Sequence, residues 1–171
     1  KEYGKRLPIE IIKYDDKSDV GTMTKLLEKT ILEDKVDLIF APWGTAMLYA
    51  AAPIATKHKY ILLGGPGSAL KLKDIIDKVP YFFSVLNMAD TQMASLSGIL
   101  AEVNVKKAAI IYIQDLHGIE SRDRALIELK QKGIQVAFSK SFPFGTKDLT
   151  PLLKEAKAAD VDAFLAFVYP D

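Results

Sequence analysis

Short apolar runs alternate along this chain with longer stretches in which apolar residues recur every three or four positions. Those two periods belong to buried strands and amphipathic helices, so the pattern predicts a repeating strand–helix order. Residues 9–14 are short, β-branched and closed by Asp15-Asp16, and read as a first strand. From 19 to about 34, Val20, Met23, Leu27 and Ile31 fall at helical spacing, with Asp19 placed to cap the free N–H groups of the first turn. Residues 37–41 are nearly continuous in apolar character, as a parallel strand covered on both faces requires. Residues 47–58 are Ala-rich and helical, with Pro53 expected to kink the helix or mark a late start. Residues 60–63 and 81–86 read as the next strands. A helix from Asp90 to about 103, a strand 108–113, a helix 118–132 ended by Gly133, a strand 135–141, a helix capped by Asp148 and a strand 163–167 complete the series.

Such alternation predicts an α/β fold of parallel sheets with helices on both faces, in which ligands gather at the carboxyl ends of the strands. Here those ends are Asp15-Asp16 and residues 42–45, 64–68, 114–118 and 168–171. The run of elements restarts near 88–91, which divides the chain into expected lobes of residues 1–88 and 89–171.

Composition narrows the chemistry. With 171 residues the chain can bury a core, and its formal net charge of +1 gives no strong field to recruit nucleic acid. It has no cysteine and two histidines, His58 and His117, which excludes a thiol nucleophile, a disulfide frame and Cys- or His-rich metal sites. No run approaches a membrane span. The chain starts at Lys1 with no initiator Met and no signal peptide before it, and reads as mature, trimmed or incompletely represented.

Gly65-Pro66-Gly67-Ser68-Ala69-Leu70 follows a strand as a dinucleotide loop does, but Leu70 stands where the third glycine belongs and Pro66 lacks an N–H. It reads either as a tight turn or as a nest of N–H groups and the Ser68 hydroxyl suited to a carboxylate. Gly44-Thr45 holds the equivalent place after an earlier strand, where Thr45 is either an N-cap or part of an anion site at a helix N-terminus. Trp43 is a core residue or a wall of the same cleft. Asp15-Asp16 is placed like the acidic pair of receiver domains, yet residues 40–43 hold no phosphoacceptor aspartate. No GxSxG elbow occurs, and neither Asp115-His117 nor any carboxylate pair marks a catalytic couple.

Residues 14–19, 31–39, Ala41-Pro42-Trp43-Gly44-Thr45, Ala51-Ala52-Pro53-Ile54-Ala55, Phe142-Pro143-Phe144-Gly145-Thr146-Lys147-Asp148-Leu149-Thr150 and 162–166 together resemble the type I periplasmic binding proteins of branched-chain amino-acid ABC transporters. The resemblance runs over essentially the whole chain. It implies two doubly wound parallel-sheet lobes closing like a hinge on a small ligand, incomplete at both ends: the family's opening strand and helix would precede Lys1 and its later strands would follow Asp171. It further implies that Thr45 holds the ligand carboxylate, and that Pro66 and Ser68 add a backbone group and a hydroxyl. Trp43, Gly44 and Gly67 complete that wall, and His117 and Tyr169 close over the ligand from the second lobe. The implied partners are an amino acid or similar carboxylate and a transporter permease, with no cofactor, metal, nucleic acid or catalysis. The implied location is periplasmic or extracellular, with a lipid anchor one way of holding it there. Amide, urea and aromatic-acid receptors share the fold, and a sensory receptor or a hydrolase remains an alternative. Three departures bear on the ligand: histidine at 117 in place of the usual aromatic, the bulk of Trp43, and Pro66.

Overall fold

A computed structural model describes Gly4, Arg6 and residues 8–65 and 67–169. It shows an α/β protein with two three-stranded parallel sheets. The first part of the chain forms α1 (Val20–Leu32), β1 (Ile39–Phe40), α2 (Thr45–His58), β2 (Leu62–Gly64), two 3-10 turns and β3 (Phe82–Ser84). The second forms α3 (Ala89–Glu102), β4 (Lys107–Ile113), α4 (Leu116–Gln131), β5 (Gln135–Phe142), α5 (Thr150–Ala158) and β6 (Ala163–Phe167). The strand orders are β1-β2-β3 and β5-β4-β6.

The helices form where the periodicity puts them. Asp19 caps α1 by accepting the Thr22 N–H at 2.7 Å, which stabilises the carboxylate and lowers its pKa, and α1 buries Met23, Leu27 and Ile31. Gly133, at φ +71°, takes the left-handed turn just beyond α4. In α5 the cap position belongs to Leu149, one residue beyond Asp148, though Asp148 still accepts the Thr150 N–H at 2.8 Å. α4 begins at Leu116, two residues earlier than its spacing suggests, because Asp115 caps it by accepting the Gly118 N–H. Pro53 neither stops nor delays α2. It sits on the solvent side, while Leu48, Ala51, Ala52 and Ala55 on the other side are fully buried.

Two expected strand features are corrected. Residues 9–14 form no strand: no neighbour among the described residues supplies a ladder, and Ile9, Ile11 and Ile12 are exposed. The strand at 37–41 is covered on one face only. Ile39 packs under α1 and α2, whereas Phe40 is 82% exposed, and Leu63 and Phe83 continue the open face on β2 and β3. The second sheet differs. Ala108 and Ile110 of its central β4 pack in a core with α3 and α4, and Ile111 and Ile113 pack on the other side with Leu149 and Leu152. Both faces of β4 are thus covered, as its unbroken apolar run requires.

Two residues on α4 give a direct measure of this packing. Leu129 is 1% exposed and Ile127 is 48% exposed. Leu129→Ala is expected to cost about 2–5 kcal/mol through lost contacts and a residual cavity, and Ile127→Ala less than about 1 kcal/mol. Urea denaturation of both variants checks this; equal costs would show that α4 is not seated as described.

Candidate functional site

The carboxyl ends of five strands open on one cleft of about 130 Å³. Trp43, Gly44 and Thr45 follow β1, Gly67 and Ser68 follow β2, and Leu86 follows β3. From the second sheet come His117 after β4 and Val168 and Tyr169 after β6. Seven of the eight residues singled out from the sequence are therefore brought together; Pro66 lies outside the described residues.

Thr45 is the first residue of α2, and the cap position belongs to Gly44, whose φ of +103° only glycine adopts without strain. The Thr45 side chain is therefore not spent on capping its own helix. It is fully buried, and its Oγ1 accepts the N–H groups of Ser68 at 3.2 Å and Ala69 at 3.4 Å. Those two bonds draw the turn after β2 onto the start of α2. Contact is so close that a Cβ on Gly67 would lie 2.4 Å from Leu48 Cδ1.

Ser68 in turn reaches across to the other sheet. Its Oγ lies 3.0 Å from His117 Nδ1, and its carbonyl accepts the N–H of Ala89 at 2.7 Å. The His117 ring packs on Tyr169 with centroids 5.3 Å apart, and Ser121 Oγ stands 3.5 Å from the same Nδ1. Tyr169 donates its hydroxyl proton to Asp115 Oδ2 at 2.7 Å, while Oδ1 of that carboxylate caps α4.

Burial governs the ionisation here. It pushes the His117 imidazolium down from its ordinary pKa of 6.5, against a smaller opposing pull from Asp115. It also pushes the Tyr169 phenol far above its ordinary range, with the bond to Asp115 acting in the same direction. Near neutral pH the ring and the phenol are uncharged. The wall is then made of hydroxyls, N–H dipoles and apolar surface, with Trp43 at the rim, 61% exposed.

Leu86, Val168, Asp115 and Ser121 were not among the sequence candidates. A cap signal was present in Asp115-Leu116-His117-Gly118, an acid three residues before a glycine whose N–H it accepts. Nothing in the sequence marked Leu86. A larger depression of about 450 Å³ between Leu70, Lys71 and α4 lies away from this cleft. Its lining is dominated by charged side chains such as Asp74, Glu120, Asp123 and Arg124.

A family model described as periplasmic binding protein matches residues 3–171. Among solved structures, the chain is similar to a solute-binding protein of an ABC transporter from Rhodopseudomonas palustris BisB5 in complex with 3,4-dihydroxybenzoic acid. The two share 23% identity and a TM-score of 0.82 over 93% of this chain and 43% of that one. An R. palustris solute-binding protein in complex with 4-hydroxybenzoate gives 19% identity and a TM-score of 0.79 over 88% and 40%. An ABC transporter substrate-binding protein from Desulfitobacterium hafniense in complex with Leu gives 17% and 0.72 over 92% and 46%. This chain spans less than half the length of each, and at these identities the likeness is one of fold.

Two expectations follow from the geometry. Thr45→Ala strands two buried N–H groups and is expected to destabilise the protein by about 1–3 kcal/mol, with Thr45→Ser close to the parent; urea midpoints read both. The second concerns His117. The unfolded chain takes up a proton near pH 6.5 and the folded protein only at lower pH. Between those values the unfolded state binds more protons, so stability falls as pH drops below about 6.5 and gains nothing from this group above it. His117→Gln is expected to flatten that part of the stability–pH curve.

Proposed function

The chain belongs to the periplasmic binding protein family, and from that premise we propose that it supplies much of the ligand cleft of a solute-binding protein serving an ABC transporter. The ligand is a branched-chain amino acid or a similar small carboxylate, held between lobes of residues 1–88 and 89–171. The observation that carries the reading is the meeting of Ser68 with His117 at 3.0 Å, beside the N-terminus of α2, in a cleft walled from both sheets. A helix N-terminus presents free N–H groups and partial positive charge to an anion. Thr45 Oγ1 accepts two N–H groups yet keeps its own proton to donate, and Ser68 supplies a second hydroxyl. Trp43, Leu86, Val168 and Tyr169 offer apolar surface for the rest of the ligand. Closure of one lobe on the other excludes water and strengthens each of these bonds.

Ser68 and His117 are also the first two members of a hydrolytic triad. Among the described residues no carboxylate bonds the imidazole, and Asp115 instead accepts the Gly118 N–H and the Tyr169 hydroxyl. Capture without chemistry fits this cleft better. The proposed place of action is periplasmic or extracellular, with the transporter's permease as partner.

Isothermal titration of the protein with L-leucine, L-isoleucine, L-valine and 4-hydroxybenzoate is expected to give saturable heat with at least one. Ser68→Ala should weaken that binding by about 1–3 kcal/mol, near tenfold to a hundredfold. The lone tryptophan at the cleft rim should report the same event in its fluorescence. Absence of heat with all four, together with turnover of a simple ester, would replace capture by hydrolysis.

A further inference from the structure

The walls of the cleft approach each other at the bond between Ser68 Oγ and His117 Nδ1, and again at the start of α2. There a Cβ built on Gly44 would stand 3.8 Å from the Tyr169 phenol oxygen, so residue 44 and the phenol face each other at contact distance. His117 and Tyr169, the second sheet's members of these two approaches, are tied to one carboxylate. Asp115 lies outside the cleft lining, yet its Oδ1 accepts the Gly118 N–H and its Oδ2 the Tyr169 hydroxyl proton, each at 2.7 Å. We propose that Asp115 is a positioning residue for ligand binding, which sets the affinity of the cleft by fixing Tyr169, and through it His117, without itself touching the ligand. The proposal rests on the ligand-binding reading of the same cleft.

The hold on Tyr169 has a direction. Burial keeps the proton on the phenol, so the hydroxyl donates and the carboxylate accepts. Hydrogen bonds to an ionised acceptor are shorter and stronger than those between neutral groups. The body of the Tyr169 side chain packs against the cluster of Ile111, Ile113 and Phe142, while Asp115 holds its tip. Held at both ends, the ring keeps one orientation, with its centroid 5.3 Å from that of His117 and the two planes tilted by 32°. Asp115 also acts on His117 from a second direction. By capping α4 it sets where that helix begins, and His117 is the second residue of the helix.

A ligand entering such a cleft meets a wall that is already in place. Every side chain that binding must immobilise subtracts from affinity, and a wall fixed beforehand avoids that loss. A Tyr169 released from Asp115 would have to be ordered by the ligand itself. Its movement would also withdraw the surface on which the His117 ring packs, and with it part of what aims Nδ1 at Ser68. The carboxylate therefore acts on the ligand through the phenol, and the two residues should behave as one unit.

A double-mutant cycle tests this. Asp115→Ser keeps a helix cap of nearly equal rank, but its single oxygen cannot also hold the phenol. Tyr169→Phe keeps the ring and removes the hydroxyl at the other end of the same bond. Isothermal titration of the parent protein with L-leucine, L-isoleucine, L-valine and 4-hydroxybenzoate identifies the tightest binder. That compound is then titrated into both single variants and the double variant, each with its fold checked by its urea midpoint. Each single variant is expected to bind it about three- to tenfold more weakly, and the double variant to match the weaker single within about twofold. Additive losses overturn the proposal, because they show Asp115 acting independently of Tyr169. Parental affinity in either single variant overturns it as well. Should Asp115→Ser fail to fold, Tyr169→Phe decides: a drop of that size supports the proposal and parental affinity overturns it. If none of the compounds binds the parent protein, the ligand-binding reading falls and this proposal with it.

Discussion

Thr45 Oγ1, buried at the first residue of α2 and accepting the N–H groups of Ser68 and Ala69, holds the part of the cleft contributed by the first sheet. A turn after a strand end is normally free to move, because its backbone groups can exchange protein partners for water. Here water has no access, and release would leave two donors unpaired in the interior. Ser68 is thereby tied from three directions. Its N–H is held by Thr45, its carbonyl by the N–H of Ala89 and its hydroxyl by His117. The contact that joins the two sheets at the cleft is thus set by a threonine at the start of α2. The same closeness explains Gly67, since any side chain there would collide with Leu48, a core residue beneath the turn.

The second half of the cleft is arranged around a carboxylate that never faces it. Asp115 caps α4 with one oxygen and holds the Tyr169 hydroxyl with the other. One residue therefore starts the helix that carries His117 and fixes the phenol on which the His117 ring packs. Turned this way, its charge is satisfied by two donors, and the surface left for a ligand is neutral. Electrostatic interactions with oriented dipoles strengthen as water is removed from around them.

Much of this was legible in the sequence because it depends on local chemistry. Asp19 before an apolar helical repeat and Gly133 after one are short-range signals, and each took the local form expected. Thr45 is the instructive exception. Its place at a helix N-terminus was readable, but its partners lie 23 and 24 residues away, so the choice between cap and clamp needed the fold. Residues 9–14 and Phe40 failed for a related reason. Their apolar pattern describes a strand that neighbours would cover, and whether a neighbour is present is not a local property. Leu86 reaches the cleft only because β3 lies beside β2, a matter of sheet order.

The two sheets are packed unequally, and the inequality leaves the cleft untouched. The open apolar face of the first sheet, with Phe40, Leu63 and Phe83, is opposite the one that carries α2. Thr45 is held from the covered side. Leu48, Ala51, Ala52 and Ala55 seat α2 on Ile39, Leu62 and Phe82 in one fully buried cluster, and the turn bearing Ser68 rests on Leu48. Small alanines let the helix approach the sheet closely, and close-packed interiors resist compression. Whatever lies against the outer face, the cleft's hydroxyls are positioned by α2 and the covered face beneath it. Motion that opens the cleft must then part Ser68 from His117, because every other bond made by Thr45 and Ser68 lies on the first sheet's side of the cleft or at the start of α3.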